Sequence, residues 1–235
     1  FLWGWLILPE SLAPDQRRPF EFARANVIGG LRQLSGFPMV LGLIGAVFLY
    51  HLGHHALPSI WSYFTTEKFA WSPGDIGLSL AIVGVGSIVV SAWLIRVVIG
   101  RVGPRMTAHL GYGFATLAYL GYASAYQEWM LYVLLAGPGA LAGFANAVSG
   151  IISNQVPANA QGELQGAMGS TMSVASIIGP VFMTQLFAWF TGPSAPAYQP
   201  GAPFVAAAAL TIVAWAVFTS VTREPEPGPV AERSG

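Results

Sequence analysis

Residues 76–99, IGLSLAIVGVGSIVVSAWLIRVVI, and residues 106–125, MTAHLGYGFATLAYLGYASA, are joined by the short link Gly100-Arg101-Val102-Gly103-Pro104-Arg105. Each apolar run has about the ~20 residues a helix needs to cross a bilayer. The link between them carries two arginines, and Lys and Arg are retained on the cytoplasmic side of a membrane. The pair therefore reads as a transmembrane hairpin whose turn faces the cytosol. Outward from it the pattern repeats, with further apolar runs at 39–60, 129–152, 162–190 and 204–221. Arg17, Arg18, Arg24 and Arg32 precede the first run, Arg96 joins the two link arginines, and Arg223 and Arg233 follow the last; the intervening connections hold only Lys68. This alternation predicts an all-α, polytopic membrane protein with six spans and both ends of the bundle inside.

Composition agrees. The chain is 54% hydrophobic and 9% charged, where a soluble globular protein carries about 25% charged residues. Formal net charge is zero, so no bulk charge points to nucleic acid as a partner. There is no cysteine, which removes disulfides and thiolate chemistry. Residues 1–8 (FLWGWLIL) are too short to span and read as the end of a severed helix. Residues 9–38 read as a cytoplasmic linker, 39–221 as the six-span bundle, and the Pro/Glu-rich stretch 222–235 as a disordered cytoplasmic tail.

Helices in lipid pack closely through small residues. The fifth run carries a stripe of them, Gly162, Gly166, Gly169, Ser173, Ser176 and Pro180; the second has a looser one in Gly77, Ala81, Gly84, Ser87 and Ser91. Such stripes fit static packing, or a smooth face along which two bundles rock. Gly179-Pro180 is expected to interrupt the fifth helix, and interrupted helices tend to line cavities.

The first run holds Tyr50, His51, His54 and His55, then Trp61. The histidines stand at i, i+3 and i+4, which puts them on one face at a depth where ionisable groups mark pathways. Cavity lining with proton handling, interhelical hydrogen bonding and a metal site are all open readings; no carboxylate nearby in sequence would orient a metal. Asn146 is either interhelical glue or a substrate contact, Asn154-Gln155 should cap the inner end of the fourth span, and Gln185 is an isolated polar group in the outer half of the fifth. No Asp or Glu lies deep in a complete span.

The link Gly100–Arg105, the opening Ser72-Pro73-Gly74-Asp75-Ile76-Gly77, the basic segment Arg17-Arg18-Pro19-Phe20, the span from Phe48 to Trp61, and Gln161–Gly166 with Ile178-Gly179-Pro180 together resemble the tetracycline-resistance branch of the major facilitator superfamily. That resemblance implies the C-terminal six helices of a twelve-helix drug:proton antiporter, with residues 1–8 as the end of helix six. It implies a bacterial inner-membrane location, an amphipathic substrate, protons as the coupling ion and the proton gradient, with no cofactor, as the energy source. It implies as well a partner six-helix N-terminal half, a cavity that places His54, Asn146 and Gln185 where a substrate could pass, and a cytoplasmic gate loop at Gly100, Arg101, Gly103 and Arg105; Tyr50, His51, His55, Trp61 and Ser173 are further candidates for cavity lining or proton coupling. One departure stands out: tetracycline exporters carry an acidic residue within helix nine, and Phe114-Ala115-Thr116-Leu117 has none. A sugar or metabolite carrier of the same fold is the alternative. An intramembrane enzyme fits less well, because a diiron centre needs several His clusters and the chain has 4 His, while its many serines suit small-residue packing.

Overall fold

The computed structural model describes residues 38–193 and 195–223. The expected helix stub at 1–8, the linker up to residue 37 with its four arginines, and the tail from 224 with Arg233 lie outside the described residues. Among the described residues five helical runs are long and apolar enough to cross a membrane: Pro38–Phe69, Pro73–Ser124, Glu128–Asn154, Gln161–Thr191 and Ala202–Thr222. The second of these has 52 residues and would be roughly 78 Å long if straight, far more than a hydrocarbon core of about 30 Å. It folds back at Gly103, whose φ of 80° and ψ of 163° are non-helical, immediately before Pro104.

Packing order confirms the reversal. Contacts from the segment before the turn to Glu128–Asn154 rise together: Trp71 stacks on Tyr132, Gly86 meets Ala140 and Gly143 meets Val90. After the turn they run oppositely, with Gly111 against Ala145 and Gly121 against Leu134. The two segments, 73–102 and 104–124, are therefore antiparallel to each other. Five runs, one crossing twice, make six crossings, and they are called the first to sixth spans below.

The backbone at Gly103 lies where only glycine is comfortable. Gly103→Ala is expected to cost about 1–3 kcal/mol, and the loss should appear as a lower thermal-unfolding midpoint in detergent. An alanine variant as stable as the parent would mean that this turn is not under backbone constraint.

The spans form an arc. The second packs on the fourth, the fourth on the third, the third on the sixth; the first lies along the sixth and the fifth and reaches the fourth. The second and fifth thus stand at the two ends, and the first lies towards the concave side. Aromatic rings lock the outer half: Trp61 meets Tyr122 at 5.4 Å between centroids, Phe64 meets Phe204 at 5.0 Å, and Tyr122 meets Phe204 at 5.5 Å. Trp61 also donates its indole N–H to Ser79 Oγ at 2.9 Å, tying the first span to the second.

Several local expectations change. The first helical run continues through Phe69, so the outer connection shrinks to three residues. There Ser72 and Asp75 form a reciprocal cap over Pro73, which satisfies the donors a helix start leaves open. The inner end of the fourth span stops at Asn154 with Gln155 as its C-cap, and Gln161 reinforces it, its Nε2 donating to the carbonyls of Ser153 and Val156 at 2.7 and 2.8 Å. The interruption expected at Gly179-Pro180 is absent: one helix runs from Gln161 to Thr191 with Pro180 inside it. Membrane helices tolerate proline where neighbours support the turn, and here a Cβ on Gly179 would fall 2.7 Å from His55 Cβ. The glycine serves close approach rather than a break.

Candidate functional site

The first span consists of two helical segments, Pro38–His54 and Ala56–Phe69, that meet at His55. Its Tyr50, His51 and His54 face a cavity of about 180 Å3 that reaches Ser87 and Ser91 of the second span, Tyr122 of the third, and Asn146 of the fourth. The volume holds several water molecules, each of which takes about 30 Å3 in the liquid. Tyr50, His51, His54 and Asn146, all expected lining residues, border this one cavity.

Four of the other expected lining residues lie elsewhere. Consecutive helix residues point about 100° apart, so His55 diverges from His54, and its ring lies against Gly179 of the fifth span. Trp61 is 3% exposed and belongs to the aromatic core. Ser173 and Gln185 are exposed on the fifth span, which contributes nothing to this cavity. Gly100, Arg101, Gly103 and Arg105 sit at the inner reversal of the chain, with both arginines exposed.

Two wide helical turns border the cavity. Residues Val90–Leu94 and Leu135–Gly139 are π-helical, and Ala142–Asn146 is a 3-10 turn. Wide turns leave the regular hydrogen-bond ladder out of step and recur at functional sites. Pro138 within the second removes a donor, which accounts for the change of register there. Tyr50 takes up part of the slack by donating its hydroxyl to Ala142 O at 3.3 Å. The run Gly137-Pro138-Gly139 inside an apolar span is the signal that would have marked this bend in advance.

His54 Nδ1 lies 3.0 Å from Tyr119 Oη on the third span, a residue 65 positions away. The phenol donates when that nitrogen is bare and accepts when it carries a proton, so this pair is sensitive to the charge on the imidazole. Tyr50 stacks on the same ring at 6.0 Å between centroids and His51 meets it edge-on at 6.4 Å. Among the described residues no group of three His, Cys, Asp or Glu side chains could hold a metal ion.

The small residues of the fifth span's stripe are not packed against the other described spans. Gly162, Gly166, Gly169, Ser173 and Ser176 are all exposed, and a Cβ on any of the three glycines would meet nothing within 4 Å. Gly77, Ala81, Gly84, Ser87 and Ser91 on the second span are exposed as well. The two stripes therefore lie at the two ends of the arc.

Comparison with known proteins gives this geometry a family. Residues 8–235 match the model of the Major Facilitator Superfamily. The class C tetracycline resistance protein of Escherichia coli is 30% identical over 190 residues, covering 80% of this chain and 47% of that protein. The class G tetracycline resistance protein of Vibrio anguillarum is 28% identical, with 76% and 44% covered. The human Hippocampus abundant transcript 1 protein is 24% identical, with 77% and 37% covered. The chain spans about half the length of the tetracycline resistance proteins it matches. Six crossings, a reversal at the basic Gly100–Arg105 link and a family match over nearly all residues converge: the chain belongs to the major facilitator superfamily.

Proposed function

We propose that this chain is the C-terminal half of a secondary active transporter that exports an amphipathic, tetracycline-like drug in exchange for protons across a bacterial inner membrane. The observation that carries the reading is the cavity on the concave side of the arc, into whose otherwise largely apolar lining His51, His54 and Asn146 bring polar groups. Ionisable groups at that depth are costly and are kept for pathways. A six-helix N-terminal half would complete the cavity and cover the small-residue stripes of the second and fifth spans, on which the two halves could rock. Proton and substrate would each bias the inward- and outward-open states, the proton through the His54–Tyr119 bond.

Drug export finds support in the similarity to tetracycline resistance proteins, and tetracycline itself in particular finds less. At the place where those exporters carry an acid, Ala115 is fully buried and Thr116 bonds its own helix at Tyr112 O.

The test is expression of the complete reading frame carrying this sequence in an efflux-deficient bacterium. The expected result is resistance to at least one amphipathic drug, abolished by a proton uncoupler. Uptake of a sugar or metabolite without any drug resistance would favour the alternative carrier and overturn this one.

A further inference from the structure

At the outer rim, on the back of the arc, the ends of the first, third and sixth spans leave an open recess of about 470 Å3. Leu120, Ala202 and Val205 form its apolar walls, and Lys68 and Gln199 stand on its polar edge. Exposed Leu117 and Leu120 of the third span, with Val205 and Ile212 of the sixth, continue the apolar surface towards the membrane centre.

Lys68 is the chain's one lysine and the one basic residue on its outer connections. Its Nζ donates to Ala123 O at 3.2 Å and lies 5.5 and 5.6 Å from the ring centroids of Phe64 and Phe69. An ammonium has three donors, and among the described residues only this one oxygen accepts from it. Glu67 is turned about 100° round the helix and takes the Tyr198 phenol at 2.5 Å. Lys68 is half-buried, and a cation withdrawn from water without a counter-charge is costly. An anion in the recess would remove that cost, and the apolar walls beneath ask for a hydrocarbon chain attached to it.

We propose that the recess binds an anionic phospholipid of the outer leaflet, with its phosphate on Lys68 and the Gln199 amide and one acyl chain along the Leu120–Val205 surface. The lipid would brace the outer ends of three spans from the side facing away from the cavity.

The full-length protein, purified in mild detergent, tests this by native mass spectrometry after exchange into phosphatidylglycerol or phosphatidylcholine. Phosphatidylglycerol should be retained over phosphatidylcholine, and Lys68→Gln should reduce that retention about fivefold, the weight of one basic side chain at an anionic surface. Lys68→Arg should restore it, and Val205→Trp, which fills the groove while keeping the cation, should reduce it again. Equal retention by Lys68→Gln overturns the site. Stabilisation of lipid-free protein by inorganic phosphate, with Val205→Trp unchanged, would assign a free-anion site and overturn the lipid. Neither readout involves transport, so failure here leaves the carrier reading standing.

Discussion

Gly111→Val is expected to prevent the third and fourth spans from closing on each other. A Cβ added at Gly111 would lie 2.5 Å from the carbonyl carbon of Phe144 and 2.6 Å from Ala145 Cα. These are backbone atoms in the 3-10 turn Ala142–Asn146, so no side-chain rotation relieves the overlap and the helices must separate. Overpacking of this kind costs about 1–3 kcal/mol where neighbours can yield, and here they cannot, so the expected loss is about 3 kcal/mol or more. It should appear as aggregation in detergent and a steep fall in the amount of folded protein extracted from membranes. Gly166→Val is the matched control. The added side chain enters open space within this chain, so the six-span bundle should keep its stability. If the fifth span meets a second half, only assembly and transport of the whole carrier should suffer. A stable, folded Gly111→Val protein would show that the spans do not approach as closely as described.

That contrast also shows where sequence reading ends. Hydropathy and arginine placement locate six crossings because lipid demands a long apolar run and the cytosol retains the charge. The hairpin turn is legible for the same reason, with Gly103-Pro104 as its pivot. A stripe of small residues says that something must approach closely, but not what. Gly162 and Gly166 have the right spacing and face outward, whereas Gly111, inside a run that looks like ordinary membrane helix, makes the tightest approach. Proline is equally ambiguous: Pro138 accompanies a π turn while Pro180 sits in a continuous helix, because supporting neighbours decide whether a missing donor bends the chain. The grouping of Tyr50, His51, His54 and Asn146 was legible from depth and polarity. The loss of His55, Trp61, Ser173 and Gln185 from the cavity was not, since a 100° step or a choice of neighbour separates lining from packing.

His54→Ala should impair transport without preventing membrane insertion. The imidazole faces the cavity, and its Nδ1 meets the Tyr119 hydroxyl at 3.0 Å. Tyr119 is buried, so removing its partner leaves a phenol whose hydroxyl must find water in the cavity. Coupling between a proton and a conformational equilibrium is worth about 1–3 kcal/mol, so proton-driven transport should fall by about 5- to 150-fold. Insertion should survive, because the first span's hold on the bundle comes from Leu43, Ile60 and Phe64, which stay buried. His54→Gln separates coupling from packing. Its amide can still hydrogen-bond Tyr119 but cannot take up a proton near neutral pH. Gln should therefore keep the folded amount and substrate binding of the parent while the rate loses its dependence on external pH. If His54 carries the coupled proton as proposed, Tyr119→Phe should leave the rate pH-dependent with a displaced midpoint, because the imidazole stays and loses its phenol partner. Transport and a pH profile unchanged in His54→Gln would return His54 to interhelical hydrogen bonding, and the proton path would then have to run through other residues of the carrier.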